Sequence, residues 1–581
     1  MMDYKNPRVY LVLFLLSILL LLVIIRLISL NELQNNKIFT QEIPALRGKI
    51  VDCNNQTLAM SYPYYVAYLD VNFLKEYFRP SFEVDLKILE KNFNISLNLN
   101  QKFIKIGESF DKDRLQNKIP IDLMPFVNIQ VVEMRTSLKD FGFNNILGIY
   151  RDGKGISGIE KFFDKYLNNK NNGKIQIKYS GFLTPKASIT SYIPPTNGNS
   201  IKLTIDSHFQ AALYNLALQE KEKYSADSIG IILMETSTGK IKSLVTTRNW
   251  PDYIMGYIEP GSAIKPIFYA AALDLGVITD TATFVCNGHI KPDPSLDIKI
   301  NDIHSHGLID FYEAIAQSCN VAAVQTSKKL IEKYDLEKLY DILKSFGFET
   351  KTGIQLSGEI DGVLKKPNEW SKVEWAYLPI GYSIGVTPIQ LIVAFNSIVN
   401  NGIYISPTLV ENSNQKTYRI ISSITSQKLM KALKEVVESG TGFLAKIPGL
   451  ELYGKTGTSE KKPGSGEYLM TFEGYFEYNN KKYTILVWVD NPKGYDLSSF
   501  VSAPIFKDTV LTIINLINSN EKNFVKVVPG VVPDLRGWNL YQLEKIKNDF
   551  NIKTKGVGLY VIDQEPTPNT ISNYITVKLG F

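Results

Sequence analysis

The sequence predicts an α+β fold, and three observations carry that expectation. Strand patterns open and close the segment 201–518, helical patterns fill its middle, and the strands come in hairpin pairs. Residues 229–234 and 240–245 read as two strands joined through Thr236-Ser237-Thr238-Gly239. A helical stretch with an apolar stripe, 208–223, precedes them. Helical patterns dominate 262–275, 308–346 and 387–400. Strand patterns return at 473–478 and 483–490, joined by Asn479-Asn480-Lys481. This order implies an antiparallel sheet assembled from both ends of the segment, flanked by helices.

The other elements follow in chain order. Residues 9–25 are apolar except for Ser17, and 9–30 gives 22 residues, about 33 Å as a helix and enough to cross a bilayer. Lys5 and Arg8 precede the run, which puts residues 1–8 in the cytoplasm and 31–581 outside. No small-residue cleavage site follows, so an uncleaved single-pass anchor is expected rather than a signal peptide. Residues 31–200 mix short strand patterns, such as 65–70, with Asn/Lys-rich turns. Polar 519–525 reads as a linker. Residues 526–581 form a small unit with one amphipathic helix (540–550) and strands at 559–562 and 574–579.

Composition narrows the function classes. At about 150 residues per domain the length suggests three or four domains. Hydrophobic residues at 44% and charged residues at 21% exclude a mostly disordered or collagen-like chain. A net charge of +6 from 64 basic and 58 acidic residues is too mild for a nucleic-acid binder. Three cysteines exclude a disulfide scaffold, and with Cys53 and Cys286 in different domains no disulfide is expected. Four histidines argue against a histidine-rich metal site. His304-Ser305-His306 shows no third ligand and reads as a loop, so neither metal nor cofactor is expected.

Three motifs carry chemistry. In Ser262-Ala263-Ile264-Lys265 a helix places the hydroxyl and the amine on one face. A serine is a weak nucleophile until a base takes its proton, and a lysine with a lowered pKa can be that base. Backbone N–H groups at the helix start could stabilise an oxyanion. Ser318-Cys319-Asn320 follows, and Lys455-Thr456-Gly457-Thr458 opens the strand-rich end of the domain. A strand can lay its backbone beside a peptide, and Gly457 removes a side chain that would block the approach. Each motif has decoys. Ser459–Lys462 and Ser519–Lys522 repeat the first spacing, Ser96-Leu97-Asn98 the second, and Lys351-Thr352-Gly353 the third, in a helix-exit loop. The ordered set is the signal.

That set resembles the penicillin-recognising serine acyltransferases, the penicillin-binding proteins and serine β-lactamases, with spacings that suit the former. Residues 47–59 look like the first extracytoplasmic motif of the class B, monofunctional branch, with Cys53 and Asn55 replacing the usual Arg and Gly. Arg135, Ile146-Leu147-Gly148 and residues 155–160 resemble its pedestal motifs. Gly381-Tyr382-Ser383 through Val386-Thr387-Pro388 resembles a later transpeptidase motif, and its Gly-Tyr start is closer to division-type members. Val532-Pro533-Asp534-Leu535-Arg536-Gly537 with Gln564-Glu565-Pro566 resembles one PASTA module. The resemblance thus implies a penicillin-binding transpeptidase domain with an all-helical subdomain over 201–518, a pedestal over 31–200 and a PASTA domain over 526–581. No room remains for a glycosyltransferase domain.

The resemblance also implies roles. Ser262 attacks the penultimate D-Ala carbonyl of a peptidoglycan stem peptide and Lys265 takes its proton. An amine on a neighbouring stem then resolves the acyl-enzyme. Ser318 relays a proton to the leaving group, Asn320 orients the substrate amide, and Lys455, Thr456 and Thr458 hold the terminal carboxylate beside Gly457. The N–H groups of Ser262 and Thr458 form the oxyanion hole, and β-lactams acylate Ser262. Implied partners are stem peptides, β-lactams, the bacterial plasma membrane, a glycosyltransferase and other division proteins. Elongation-type transpeptidases, carboxypeptidases, β-lactamases and β-lactam sensors share the motifs and stay as alternatives. Residues 449–456 also satisfy the P-loop pattern, but Gly457, Pro463, Gly464 and Gly466 stand where its helix should follow. Cys319, where many relatives carry serine, reads as a small buried helix residue rather than a nucleophile.

Overall fold

The computed structural model describes residues 7–35, 38–168, 170–180, 186–518, 532–533, 535, 543, 546–547, 550–556, 560–568, 570 and 572–580. The 519–525 linker and most of the expected helix 540–550 lie outside these residues. The chain divides into two compact units. One comprises Met1–Lys49, Met60–Arg135 and Lys165–Ser200, the other Ile50–Ala59, Thr136–Asp164 and Ile201–Phe581.

In the first unit, helix α1 (Pro7–Asn35) is apolar on every side. Leu11, Leu15, Leu19 and Leu22 are all exposed, the pattern of a helix whose solvent is lipid. Ile38–Ile43, Gly173–Ser180 and Lys186–Ile193 form an antiparallel three-stranded sheet. Phe82, Leu86 and Leu89 of helix Phe82–Phe93 recur at helical spacing. They pack against Leu69 and Ile106 in a small core.

The second unit is built on one antiparallel five-stranded sheet. Its strands are β1 (Ser228–Glu235), β2 (Ile241–Thr246), β3 (Leu452–Glu460), β4 (Tyr468–Tyr478) and β5 (Lys481–Asp490). They lie in the order β2-β1-β5-β4-β3, so both ends of the segment contribute. β1 reads as a continuous apolar run because nearly every residue in it is buried. The β4–β5 turn holds Asn479 at φ 50° and Asn480 at φ 61°, left-handed values that asparagine tolerates and two-residue hairpins require.

One face of the sheet is covered by α2 (Ser207–Lys223) and α3 (Ser502–Asn518). Leu213 and Ala217 from the first, and Phe506, Val510 and Ile513 from the second, join Ile229, Ile231, Leu233, Val487 and Phe472 in the core. Residues 498–518 are long and apolar enough to span a membrane, but this buried stripe makes α3 a core helix. Asp206 starts α2 by accepting from His208 N at 2.9 Å. Helix Pro388–Val399 is buried along its whole length and begins in a capping box of Thr387 and Gln390.

Two expected helices are broken, both at functional motifs. Residues 262–275 split into a 3₁₀ turn, Gly261–Ile264, and an α-helix, Lys265–Asp274. Residues 308–346 become a strand, Gly307–Asp310, and helices Phe311–Ala316, Asn320–Lys333 and Leu336–Ser345. Apolar spacing is blind to a short non-helical interruption. Here it is Ser318, at φ 58°, followed by the extended Cys319.

Phe472 sits centrally, with its ring centroid 4.6 Å from that of Phe506. Phe472→Ala is expected to lower the stability of this unit by about 3–5 kcal/mol, read as an earlier urea midpoint by tryptophan fluorescence.

Candidate active site

The site starts from a turn that only glycine can make. Gly261 has φ +56°, and a Cβ there would stand 2.3 Å from the carbonyl oxygen of Thr458. A Cβ on Gly457 would meet Thr471 Oγ1 at 2.3 Å and the Pro260 carbonyl oxygen at 2.6 Å. A Cβ on Gly381 would meet the Gly261 carbonyl oxygen at 2.1 Å. Three glycines thus let β3 and the 381 turn close on the backbone that carries Ser262. The sequence suggests that Gly457 clears space for a peptide; the atoms it makes room for belong to this chain's own Thr471 on β4 and to the Ser262 turn. Ser459 Oγ fastens the arrangement by donating to Glu259 O at 2.8 Å.

Behind Ser262, which is partly exposed, stands a buried polar group. Lys265 is fully buried. Its Nζ donates to the Ser318 carbonyl, to Ser318 Oγ at 3.2 Å and to Asn320 Oδ1 at 2.6 Å. The left-handed backbone of Ser318 serves this, because it breaks the helix and turns carbonyl and hydroxyl toward one ammonium group. Burial lowers the Lys265 pKa to about 8, with Asp302 and then Cys319 opposing the shift. Lys455 Nζ approaches from β3, donating to Ser318 Oγ at 2.8 Å and Thr456 O at 2.9 Å. The structure therefore brings Lys265, Ser318, Asn320 and Lys455 into one hydrogen-bonded group beside the Ser262 turn.

Strand alternation separates the remaining residues. Lys455 and Gly457 point to one face of β3, Thr456 and Thr458 to the other. The hydroxyls of Thr456 and Thr441 pair at 2.8 Å. Thr458 Oγ1 pairs with Ser498 Oγ at 3.0 Å and accepts from Ser498 N at 3.2 Å. Lys455 is fully buried, so it acts from beneath the strand rather than beside the two threonines.

Sequence reasoning missed Glu473. It faces Lys455 in register across the β3–β4 pair, is buried, and its Oε2 has no hydrogen-bond partner. Burial pushes its carboxyl well up, against the pull of Lys455. Burial and then the charge of Lys265 push Lys455 well down, with Glu473 opposing. The available signal was one carboxylate inside the apolar run Phe472-Glu473-Gly474.

Also missed was the support beneath Asn320. Asp302 Oδ2 accepts from Asn320 N at 2.8 Å and Val321 N at 3.2 Å, and Asn320 Nδ2 donates to Asn301 O at 2.9 Å. Cys319 is the buried N-cap of helix Asn320–Lys333, its sulfur accepting from Ala322 N at 3.3 Å. Cys286 and His306 lie against Asp302. These are the residues chemically suited to a metal ion.

Of the decoys, Ser519–Lys522 lies outside the described residues, while Ser459 sits against the Ser262 turn. Thr352 of Lys351-Thr352-Gly353 ties its loop to Glu359. Lys455 of the P-loop pattern lies mid-strand, so no helix N-terminus is present to hold phosphate.

A serine beside a buried lysine, a second serine and a lysine-bearing edge strand defines a serine acyltransferase site. Residues 229–511 match the family of penicillin binding protein transpeptidase domains. "Stage V sporulation protein D" of Bacillus subtilis is 29% identical over 466 residues, covering 72% of this chain and 71% of that protein. "Probable peptidoglycan D,D-transpeptidase PenA" of Neisseria meningitidis serogroup A is 25% identical over 523 residues, 84% and 87% of the two chains. A peptidoglycan synthetase from Bifidobacterium adolescentis shares the fold with a TM-score of 0.66 at 19% identity, covering 85% of this chain and 100% of that one. Over residues 229–511 the chain is thus similar to the penicillin binding protein transpeptidase domains, and over most of its length to peptidoglycan transpeptidases of this kind.

Two outcomes follow for the lysines. If Lys265 is the base, its pKa near 8 makes acylation by a fluorescent penicillin rise about tenfold per pH unit below that value, level off above it and fall again where Lys455 loses its charge. Glu473→Gln removes the carboxylate that favours charged Lys455, so the alkaline limb of the same profile should move to lower pH. An unmoved limb would leave Glu473 a packing residue.

Proposed function

We propose that this chain cross-links peptidoglycan as a D,D-transpeptidase working through an acyl-enzyme on Ser262. The observation that carries the reading is the hydrogen-bonded group of Lys265, Ser318, Asn320 and Lys455 beside the Ser262 turn. Lys265 as free amine takes the Ser262 proton. The hydroxyl attacks the penultimate D-Ala carbonyl, and the N–H groups of Ser262 and Thr458 receive the oxyanion. Ser318 bonds both lysines and so sits where a proton can pass to the departing D-Ala amine. Asn320 orients the substrate amide. Thr456 and Thr458 hold the terminal carboxylate, with the cation of Lys455 beneath. An amine of a second stem then attacks the ester and restores Ser262. β-Lactams enter the same first step.

The finer reading is a septal enzyme, anchored by α1 with its N-terminus in the cytoplasm and its catalytic unit outside, working with a glycosyltransferase. Gly381-Tyr382-Ser383 supports the septal assignment. Residues 31–200 are read as a pedestal. The terminal unit is read as PASTA. Its support is Asn551–Lys555 pairing parallel, and Tyr560–Glu565 antiparallel, to Tyr574–Gly580. Gln564 Nε2 also donates to Pro533 O at 2.8 Å, joining the two motif segments.

Fluorescent-penicillin labelling of wild type against Ser262→Ala tests the core of this reading. Loss of label in a folded variant is expected; an equally labelled variant moves the nucleophile elsewhere. Adding an amine acceptor to a thioester stem analogue should divert the acyl group from water, and exclusive hydrolysis would make the enzyme a carboxypeptidase. A fluorescent fusion should collect at septa, and a lateral distribution would sink the septal assignment.

A further inference from the structure

Four side chains from three separate segments converge beneath the Ser318 turn. Cys286 ends the strand Thr283–Cys286, Asp302 and His306 bracket a loop, and Cys319 is the N-cap of helix Asn320–Lys333. One ligand atom from each lies within 4.8 Å of all the others. Cys286 Sγ is 3.4 Å from His306 Nδ1 and 3.5 Å from Asp302 Oδ2. His306 Nδ1 is 3.8 Å from Asp302 Oδ2. Bonds of 2.0–2.3 Å to a tetrahedral ion place ligand atoms about 3.3–3.8 Å apart.

Hydrogen bonding alone accounts poorly for this packing. Asp302 Oδ2 already accepts two backbone N–H groups, yet a thiol and an imidazole also crowd it. Both sulfurs are fully buried, and His306 Nε2 is buried without a partner.

We propose that Cys286, Asp302, His306 and Cys319 hold a Zn²⁺ ion in a closed, four-coordinate structural site. Two sulfurs favour zinc over magnesium or calcium, which take oxygen ligands. Four protein ligands leave no position open for a reacting water, so the ion supports the fold and does no chemistry. Binding releases the two thiol protons to solvent. Two thiolates and one carboxylate around a dication carry net −1, placed close to buried Lys265. The backbone N–H of Ala322 donates to Cys319 Sγ, and Asp302 Oδ1 accepts from Ile303 N at 3.0 Å. Such outer contacts orient metal ligands. The site also gives Cys319 a purpose between Ser318 and Asn320. It ties the motif's centre to a strand and a loop. The sequence expectation of no metal considered only the His304–His306 pair, whereas the partners of His306 are two thiols and a carboxylate.

The test is metal content of the full-length chain purified in detergent, by plasma mass spectrometry after dialysis against metal-free buffer. One zinc per chain is expected in the wild type, released stoichiometrically when a mercurial titrates the thiols. Cys286→Ser/Cys319→Ser should lose it. Should that variant fail to fold, cobalt-substituted wild type keeps the question open to decision: thiolate-to-cobalt charge-transfer bands are expected. Wild type that accepts penicillin at Ser262 yet neither carries nor takes up zinc would overturn the proposal. So would a Cys286–Cys319 disulfide, zinc unchanged in a folded double variant, or a cobalt form without thiolate bands. Metal content does not depend on the acyl-transfer reading, so the two can fail separately.

Discussion

Everything at the site depends on backbone meeting backbone where β3 closes on the Ser262 turn. Gly261, Gly381 and Gly457 are each approached by a main-chain oxygen closer than any Cβ would allow. Side-chain contacts could not fix two segments so tightly, since each adds rotamers that must be frozen. Direct backbone contact leaves Ser262 little freedom, and a hydroxyl already in position would spend less entropy on reaching a transition state.

The second organising feature is a shortage of countercharge. Two lysines are completely buried within one hydrogen-bonded group. Burial presses each toward its neutral form, and the charge of Lys265 presses Lys455 further. Glu473 lies on one side of the pair and Asp302 on the other, and their carboxylates oppose the shift of Lys455 and Lys265 respectively. Different degrees of compensation would suit two identical side chains to the separate roles of base and cation proposed for them.

The strands of the sheet and their hairpins were legible in the sequence, because apolar runs and turn residues are local signals. The three motifs were legible as an ordered set. What escaped was information carried between distant segments. Glu473 matters through its register with Lys455, and register is a property of two strands. The environment of Cys319 depends on Cys286, Asp302 and His306, which no spacing rule connects. Gly457 was legible as a permissive residue but not in its reason, because the atoms it admits come from Thr471 on β4 and from the Pro260 turn. The 3₁₀ turn at Ser262 and the helix break at Ser318 escaped because periodicity averages over several residues, while a break needs only one left-handed serine.

Among the described residues β3 is the last strand of its sheet, with one row of main-chain donors and acceptors facing no neighbouring strand. A ligand recognised along that row is held by peptide groups common to every amino acid. Inherited change can swap side chains but cannot delete a peptide bond. An inhibitor that copies an extended strand therefore engages the part of the site that heredity can least revise. Escape would have to come from altering how the strand lies, through the glycine contacts that fix it, and those shifts would displace the nucleophile as well.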